Sequence, residues 1–187
     1  MTPVLAAARD LQAFFERRQW RFCFIGGLAL LRWGEPRFTR DVDATLLCGF
    51  GDEGQFTAPI LASGYSGRIS DADGFARRNR VLLVESPAGV PMDIALGAID
   101  FEEQMIQRSS FFEFSPECSL RTCSAEDLLI LKLFAYRPRD VLDAETIAVR
   151  QRGALDWPYV EKYLGPLAAV KEKREIMETL DQLRGWR

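Results

Sequence analysis

Asp41 and Asp43 stand one residue apart at the head of the apolar run Ala44-Thr45-Leu46-Leu47, and Gly26-Gly27 lie upstream, directly behind the apolar segment 22–25. Side chains alternate along a strand, so two aspartates at this spacing emerge on one face and can reach the same ion. Mg²⁺ is a hard, oxygen-seeking cation, usually held by one or two carboxylates together with substrate phosphates. In two-metal sites the ions are about 3.5–4 Å apart, a separation that paired aspartates can bridge. A glycine pair can turn tightly out of the preceding strand into a helix over 28–33, leaving bare backbone N–H groups of the kind that phosphates favour. The pattern predicts a grip on a nucleoside triphosphate through Mg²⁺ or Mn²⁺, which is the chemistry of nucleotidyl transfer.

Asp93 is the third candidate. The run Val81-Leu82-Leu83-Val84 and the segment Met92–Ala95 read as strands, and Pro87-Ala88-Gly89 is a turn short enough to join 80–85 and 91–96 as a hairpin. A sheet that holds this hairpin and 42–47 could bring Asp93 beside Asp41 and Asp43. Clustered carboxylates repel one another and so imply a bound cation. The third could ligate the metal that activates the attacking hydroxyl, or accept its proton.

The elements that must position these residues follow from periodicity. Residues 4–19 read as an amphipathic helix, 22–25 as a strand, 28–33 as a helix and 42–47 as a strand beginning at the carboxylates. Gly49, Gly51 and Gly54 mark a loop, 55–62 look helical, and 64–74 is turn-rich and expected to be exposed. No element is assigned between 97 and 123. From residue 124 the pattern is helical. Ser124 and Asp127 resemble a capping box ahead of 128–136, and Pro138 breaks the run before 140–150. Asp156-Trp157-Pro158 opens a helix that Gly165-Pro166 should end, and 167–185 reads as a charged amphipathic helix. The expected class is α/β (α+β): a mixed β-sheet flanked by helices over 1–123, then a helical C-terminal region over 124–187 packed on that core.

Composition narrows the chemistry. A chain of 187 residues with 48% hydrophobic content can bury a core of its own. Met1-Thr2-Pro3 leads into an amphipathic stretch rather than a secretory signal, and no apolar run reaches membrane-spanning length, so a cytoplasmic protein without membrane partners is expected. Cys23, Cys48, Cys118 and Cys123 show no CxxC spacing and are expected to be buried thiols. The chain contains no histidine, which excludes Ser-His-Asp and Cys-His activation, His-ligated zinc and HD-type phosphohydrolase chemistry. A general base must then be a carboxylate, a lysine or a metal-bound hydroxide.

The net charge of −3 gives no global field for nucleic acid. Local basic groups are Arg37 and Arg40 before the aspartate pair, Arg77-Arg78-Asn79-Arg80, and Arg137 with Arg139 around Pro138; solvated faces are the default reading, with a phosphate or nucleic-acid role open for 77–80. Trp33, Trp157 and the phenylalanine pairs at 14–15 and 111–112 read as core residues rather than stacking platforms.

Asp41-Val42-Asp43-Ala44-Thr45 also fits the DxDxT signature of haloacid dehalogenase-like phosphatases. That chemistry places its nucleophile at the C-terminal end of a buried strand. Here the polar stretch 34–40 precedes the pair and the apolar run follows it, and the chain between Lys132 and Asp140 leaves no room for an intervening strand. Order of residues disfavours the phosphatase.

The runs GGLALLRWGEPRFTRDVDATL, PMDIAL and LLILKLFAYRPRDVLDAETI together resemble the AbiEii-type branch of the DNA polymerase β-like nucleotidyltransferases, which occurs in bacterial toxin–antitoxin and phage-defence systems. The resemblance spans most of 22–150. It implies a triphosphate-binding turn at Gly26 and Gly27, metal ligands at Asp41 and Asp43, the third acidic position at Asp93, and a nucleotide-facing helix lysine at Lys132, with Asp140 and Asp143 in the acidic positions after it. Arg40 would add charge for the phosphates. Many nucleotidyltransferases carry Gly-Ser where this chain has Gly-Gly, though the defence branch commonly has Gly-Gly. The resemblance also implies an NTP substrate, ATP among the candidates, an RNA, protein or small-molecule acceptor, and a cognate antitoxin as partner.

The residues themselves also admit structural roles. Lys132 could snorkel from its apolar helix to solvent, Asp140 could cap the helix after Pro138, and Asp143 could pair with Arg139 at i,i+4. A folded relative that binds a nucleotide or partner without turnover is the alternative of a different class; the complete set of carboxylates and glycines argues against degeneration.

Overall fold

The computed structural model describes residues 1–185, and in it the aspartate-bearing strands are neighbours near the centre of a seven-stranded sheet. In chain order the elements are α1 (Pro3–Arg17), β1 (Phe22–Phe24), α2 (Gly26–Trp33), β2 (Val42–Leu47), α3 (Glu53–Leu61), β3 (Ser66–Gly67), α4 (Ala72–Asn79), β4 (Val81–Glu85), β5 (Pro91–Gly97), α5 (Asp100–Arg108), β6 (Ser110–Ser115) and β7 (Cys118–Thr122), followed by the helices α6 (Ala125–Ala135), α7 (Pro138–Arg150), α8 (Trp157–Lys171) and α9 (Glu175–Gly185). The sheet order is β3-β4-β5-β2-β1-β7-β6. It is mixed: β2 runs parallel to β5 and β1 parallel to β7, while the remaining neighbours are antiparallel. This is the α/β architecture expected, with β4 and β5 forming the hairpin.

Alternation along the strands creates the core. Val42, Ala44 and Leu46 of β2 are fully buried, as are Leu82 and Val84 of β4 and Met92 and Ile94 of β5. Leu11 and Phe15 of α1 are fully buried too, and Gln12 ties that helix to β7 by donating to the Ser119 carbonyl and accepting from the Arg121 N–H. A buried side chain of this size stabilises the fold by about 1.5–3 kcal/mol relative to exposure.

Contacts gather the described residues into two units, one of Met1–Leu28 with Phe38–Cys123, the other of Ala29–Arg37 with the residues from Ser124 onward. The second is helical apart from its connections. Ser124 caps α6, accepting from the Asp127 N–H as the capping-box reading predicts, and Asp156 caps α8.

Several expectations need correction. The turn-rich stretch 64–74 holds β3 and the start of α4, whose Asp71 cap accepts from the Gly74 N–H. Gly165-Pro166 does not end α8, which continues to Lys171 because Leu164 and Ala168 are buried on one face and anchor the turns around the proline. The break comes at Glu172, in the left-handed conformation at φ 52°, so 167–185 is divided between α8 and α9. The unassigned span 97–123 contains α5, β6 and β7. Phe14 and Phe15 are core residues, whereas Phe111 and Phe112 are 50% and 36% exposed because β6 is an edge strand. All four cysteines are buried thiols. Among the described residues no helix is long and apolar enough to cross a membrane.

Candidate functional site

β2 begins at Val42, so the aspartates stand at its N-terminal end, the reverse of what the phosphatase signature requires. Asp43 is in register with Asp93 across the parallel β2–β5 pair. Side chains in register on adjacent strands share a face, and neighbouring strands run about 4.8 Å apart. The same row continues outward: Asp93 is in register with Leu83 of β4, and the Arg68 N–H, just past β3, donates to the Leu83 carbonyl at 3.0 Å. On the other side the Ile25 N–H donates to the Asp43 carbonyl at 2.9 Å, which carries the row to the start of α2. Arg68, Asp93, Asp43 and the glycine pair are thus set by one line of backbone pairing.

The glycines are required by what lies against them. Gly26 has φ +54°, and a Cβ there would overlap the carboxylate of Asp43. A Cβ on Gly27 would overlap the hydroxyl of Thr39. Both glycines form the first turn of α2, which starts at Gly26 and not at 28, so the helix N-terminus faces a carboxylate. That polarity is favourable, since the N-terminal end of a helix carries partial positive charge.

Asp41 lies one residue before β2 and is exposed. Its carboxylate accepts from Thr39 Oγ1 at 2.9 Å. Arg40 is exposed as well, its guanidinium 5.8 Å from the ring of Phe38. Asp93 accepts an ion-paired hydrogen bond from Arg68. The donors present are carboxylate oxygens, the type Mg²⁺ prefers. Among the described residues no three His, Cys, Asp or Glu side chains stand gathered as a metal cluster. Two carboxylates in register on one face of the sheet, Asp43 and Asp93, fit an ion that takes one or two such ligands plus phosphates.

Lys132 belongs to the second unit and does not snorkel. It is 6% exposed, donating to Asp140 at 3.1 Å and lying 2.8 Å from Asp143. Asp143 also accepts from Arg37 through two nitrogens, at 3.0 and 2.9 Å, and Asp140 from Arg137. Asp143 therefore pairs with Arg37 and Lys132 instead of Arg139, and Asp140 is an ion-pair partner more than a cap. Burial pushes both carboxyls up, but the hydrogen bonds and charges of Lys132 with Arg137 or Arg37 outweigh it and hold both below the ordinary aspartate range.

The basic cluster at 77–80 resolves into structural pairs. Arg77 binds Asp73, Arg78 binds Asp71, and Arg80 bonds to Glu53 and to the carbonyls of Gly49 and Leu96.

The sequence profile of the family described as nucleotidyl transferase AbiEii toxin, type IV toxin–antitoxin system, matches residues 9–157. The chain belongs to the AbiEii nucleotidyltransferase family. A comparison with curated proteins finds no match. Among solved structures, an antigenic nucleotidyltransferase-like protein from Paracoccidioides brasiliensis is similar with a TM-score of 0.51 and 13% identity, over 95% of this chain and 92% of that one. The antibiotic-resistance factor ANT(2'')-Ia is similar in two structures. Its solution structure gives a TM-score of 0.50 and 16% identity, over 97% of this chain and 89% of that one. Its crystal structure with adenylyl-2''-tobramycin gives 0.50 and 17%, over 98% of both chains. At such identities the likeness is one of fold, and the fold is that of nucleotidyltransferases.

Two residues beside the carboxylates of this AbiEii nucleotidyltransferase escape a reading of motifs. Thr39 carries a weak signal, a hydroxyl two residues before an aspartate. Arg68 carries none, because it stands in a turn-rich stretch and reaches Asp93 through pairing across β4.

Proposed function

We propose that this protein is a Mg²⁺- or Mn²⁺-dependent enzyme that transfers a nucleoside monophosphate from an NTP to an acceptor hydroxyl or phosphate, with release of pyrophosphate. The observation that carries the reading is the register of Asp43 with Asp93 beside the glycine-initiated start of α2. Asp43 and Asp41 would hold the metal, and Asp93 would join them or take the proton of the attacking hydroxyl. When bound, the divalent cation would neutralise triphosphate charge and polarise the scissile phosphoryl group. The N–H groups of the first turn of α2 would receive phosphate oxygens, and the absence of a Cβ at Gly26 lets Asp43 lie against that turn. Arg40, exposed near Asp41, would add charge for the phosphates. Lys132 enters through the family pattern: there it would be a nucleotide-facing cation, with Asp140 and Asp143 setting its rotamer.

Family membership supports a role as the toxin of a type IV toxin–antitoxin pair, with an RNA or protein acceptor and a cognate antitoxin as partner. The adenylyl-2''-tobramycin in the ANT(2'')-Ia complex makes a small-molecule acceptor the third class to test. The experiment is incubation with each α-labelled NTP, Mg²⁺ and, separately, total RNA, total protein and hydroxyl-rich small molecules. Label should enter one fraction with wild type and none with Asp41→Ala/Asp43→Ala. Identical behaviour of the two proteins across all fractions would leave a nucleotide-binding relative without turnover.

A further inference from the structure

We propose that Arg68 is an internal counter-ion for Asp93 that a divalent cation must displace, so that this arginine sets the metal concentration at which the site assembles. The inference rests on the metal-site reading above and adds to it a residue outside the motifs read from the sequence.

The geometry comes from the sheet. Arg68 lies on the same row as Leu83, Asp93 and Asp43, and its guanidinium crosses β4 to pair with Asp93. Its backbone is fixed at both sides: the N–H is bonded to the Leu83 carbonyl, and a Cβ at the preceding Gly67 would come within 2.6 Å of the Ala72 side chain. The backbone is held and the long side chain is the part that can move.

The charges explain why a guanidinium stands there. Two aspartates in register on neighbouring strands repel unless a cation lies between or beside them. A guanidinium is always protonated and presents several donors to a carboxylate. It supplies one charge where a divalent ion would supply two. The pair is also easily exchanged, because the Arg68 and Asp93 side chains are 28% and 42% exposed. Ion pairs with that much solvent are weak and salt-sensitive. Arg68 can then yield Asp93 to a dication without unfolding anything.

The test uses Mn²⁺ alone, followed by its electron paramagnetic resonance signal on titration into the full chain at fixed ionic strength. Arg68→Gln should bind Mn²⁺ about two- to fivefold more tightly than wild type, the upper part of the range expected for removing one partly exposed competing charge. Arg68→Lys keeps the charge and should stay within about twofold of wild type. The gain should vanish when Arg68→Gln is combined with Asp93→Asn, because it acts through that carboxylate. Unchanged or weaker binding by Arg68→Gln, while Asp43→Asn and Asp93→Asn still weaken Mn²⁺ binding, would overturn the counter-ion role and leave the metal site standing. A gain that persists with Asp93→Asn would overturn it as well. If neither Asp43→Asn nor Asp93→Asn alters Mn²⁺ binding, the metal-site reading fails and takes this inference with it. A raised KM for NTP in Arg68→Gln with unchanged Mn²⁺ affinity would make Arg68 a phosphate ligand instead.

Discussion

Replacing Gly26 by alanine separates two effects that the structure superimposes at one residue. The backbone there has φ +54°, a left-handed conformation that costs a residue with a Cβ about 1–2 kcal/mol. The new methyl group would also overlap the Asp43 carboxylate, so either that side chain or the start of α2 must shift. Gly89 supplies the control. It has φ +73° in the turn between β4 and β5, and a Cβ there meets nothing within 4 Å. For a chain of this size about 1 kcal/mol corresponds to roughly 2–4 °C in Tm, so strain alone predicts a fall of about 2–8 °C in Gly89→Ala. Gly26→Ala should lose that much and more. Transfer of label from NTP should fall about a hundredfold or further in Gly26→Ala, the order expected when a metal-holding carboxylate is displaced by about 1 Å. Gly89→Ala should keep wild-type transfer. Thermal melts and initial rates on the same preparations decide the matter. If Gly26→Ala melts no lower than Gly89→Ala and transfers nucleotide at the wild-type rate, the carboxylate is not seated on the glycine and the site as described is wrong.

Asp93→Asn, which preserves shape, should reduce transfer by at least about a hundredfold, in the range for loss of an acid–base or metal-holding group, while its circular dichroism spectrum stays native. Lys132→Met leaves two buried carboxylates with one arginine each, and should destabilise the protein by about 3 kcal/mol, read as a lower urea midpoint. Asp140 and Asp143 have folded-state pKa values below the unfolded value of 3.8, so their contribution is intact above that value and is lost as pH falls through the lowered folded values. Tm should therefore decline steeply below about pH 4, and Asp143→Asn should flatten that acid limb. Leu46→Ala, at a fully buried position of β2, should cost about 2–5 kcal/mol in chemical denaturation.

What could be read from the chain alone follows from how local each signal is. Asp41-Val42-Asp43 ahead of an apolar run, and Pro87-Ala88-Gly89 between two apolar runs, are short-range patterns, and β2 and the β4–β5 hairpin arose where they pointed. The glycine pair was legible as a turn into a helix for the same reason, but not as part of that helix, which takes in both glycines. β6 was not, because an edge strand exposed on both faces has no alternation to detect. The continuation of α8 through Gly165-Pro166 depends on burial of Leu164 and Ala168, which is tertiary information. Arg68 reaches Asp93 over a separation of 25 residues, and the partners of Lys132 include a carboxylate that also binds Arg37, 106 residues away. No window of sequence contains such pairs.

The buried cysteines carry a practical consequence. Cys23, Cys48, Cys118 and Cys123 all fall in the unit formed by Met1–Leu28 and Phe38–Cys123, and the other unit has none. Burial also pushes the thiols of Cys48 and Cys118 up from their ordinary range, so little thiolate is present even where solvent enters. Alkylation of the native protein is thereby a clock for the opening of the sheet alone. Cys48 reports the far end of β2 and Cys118 the start of β7, so peptide mapping of the labelled thiols would time the fraying of those two ends separately, without any engineered probe.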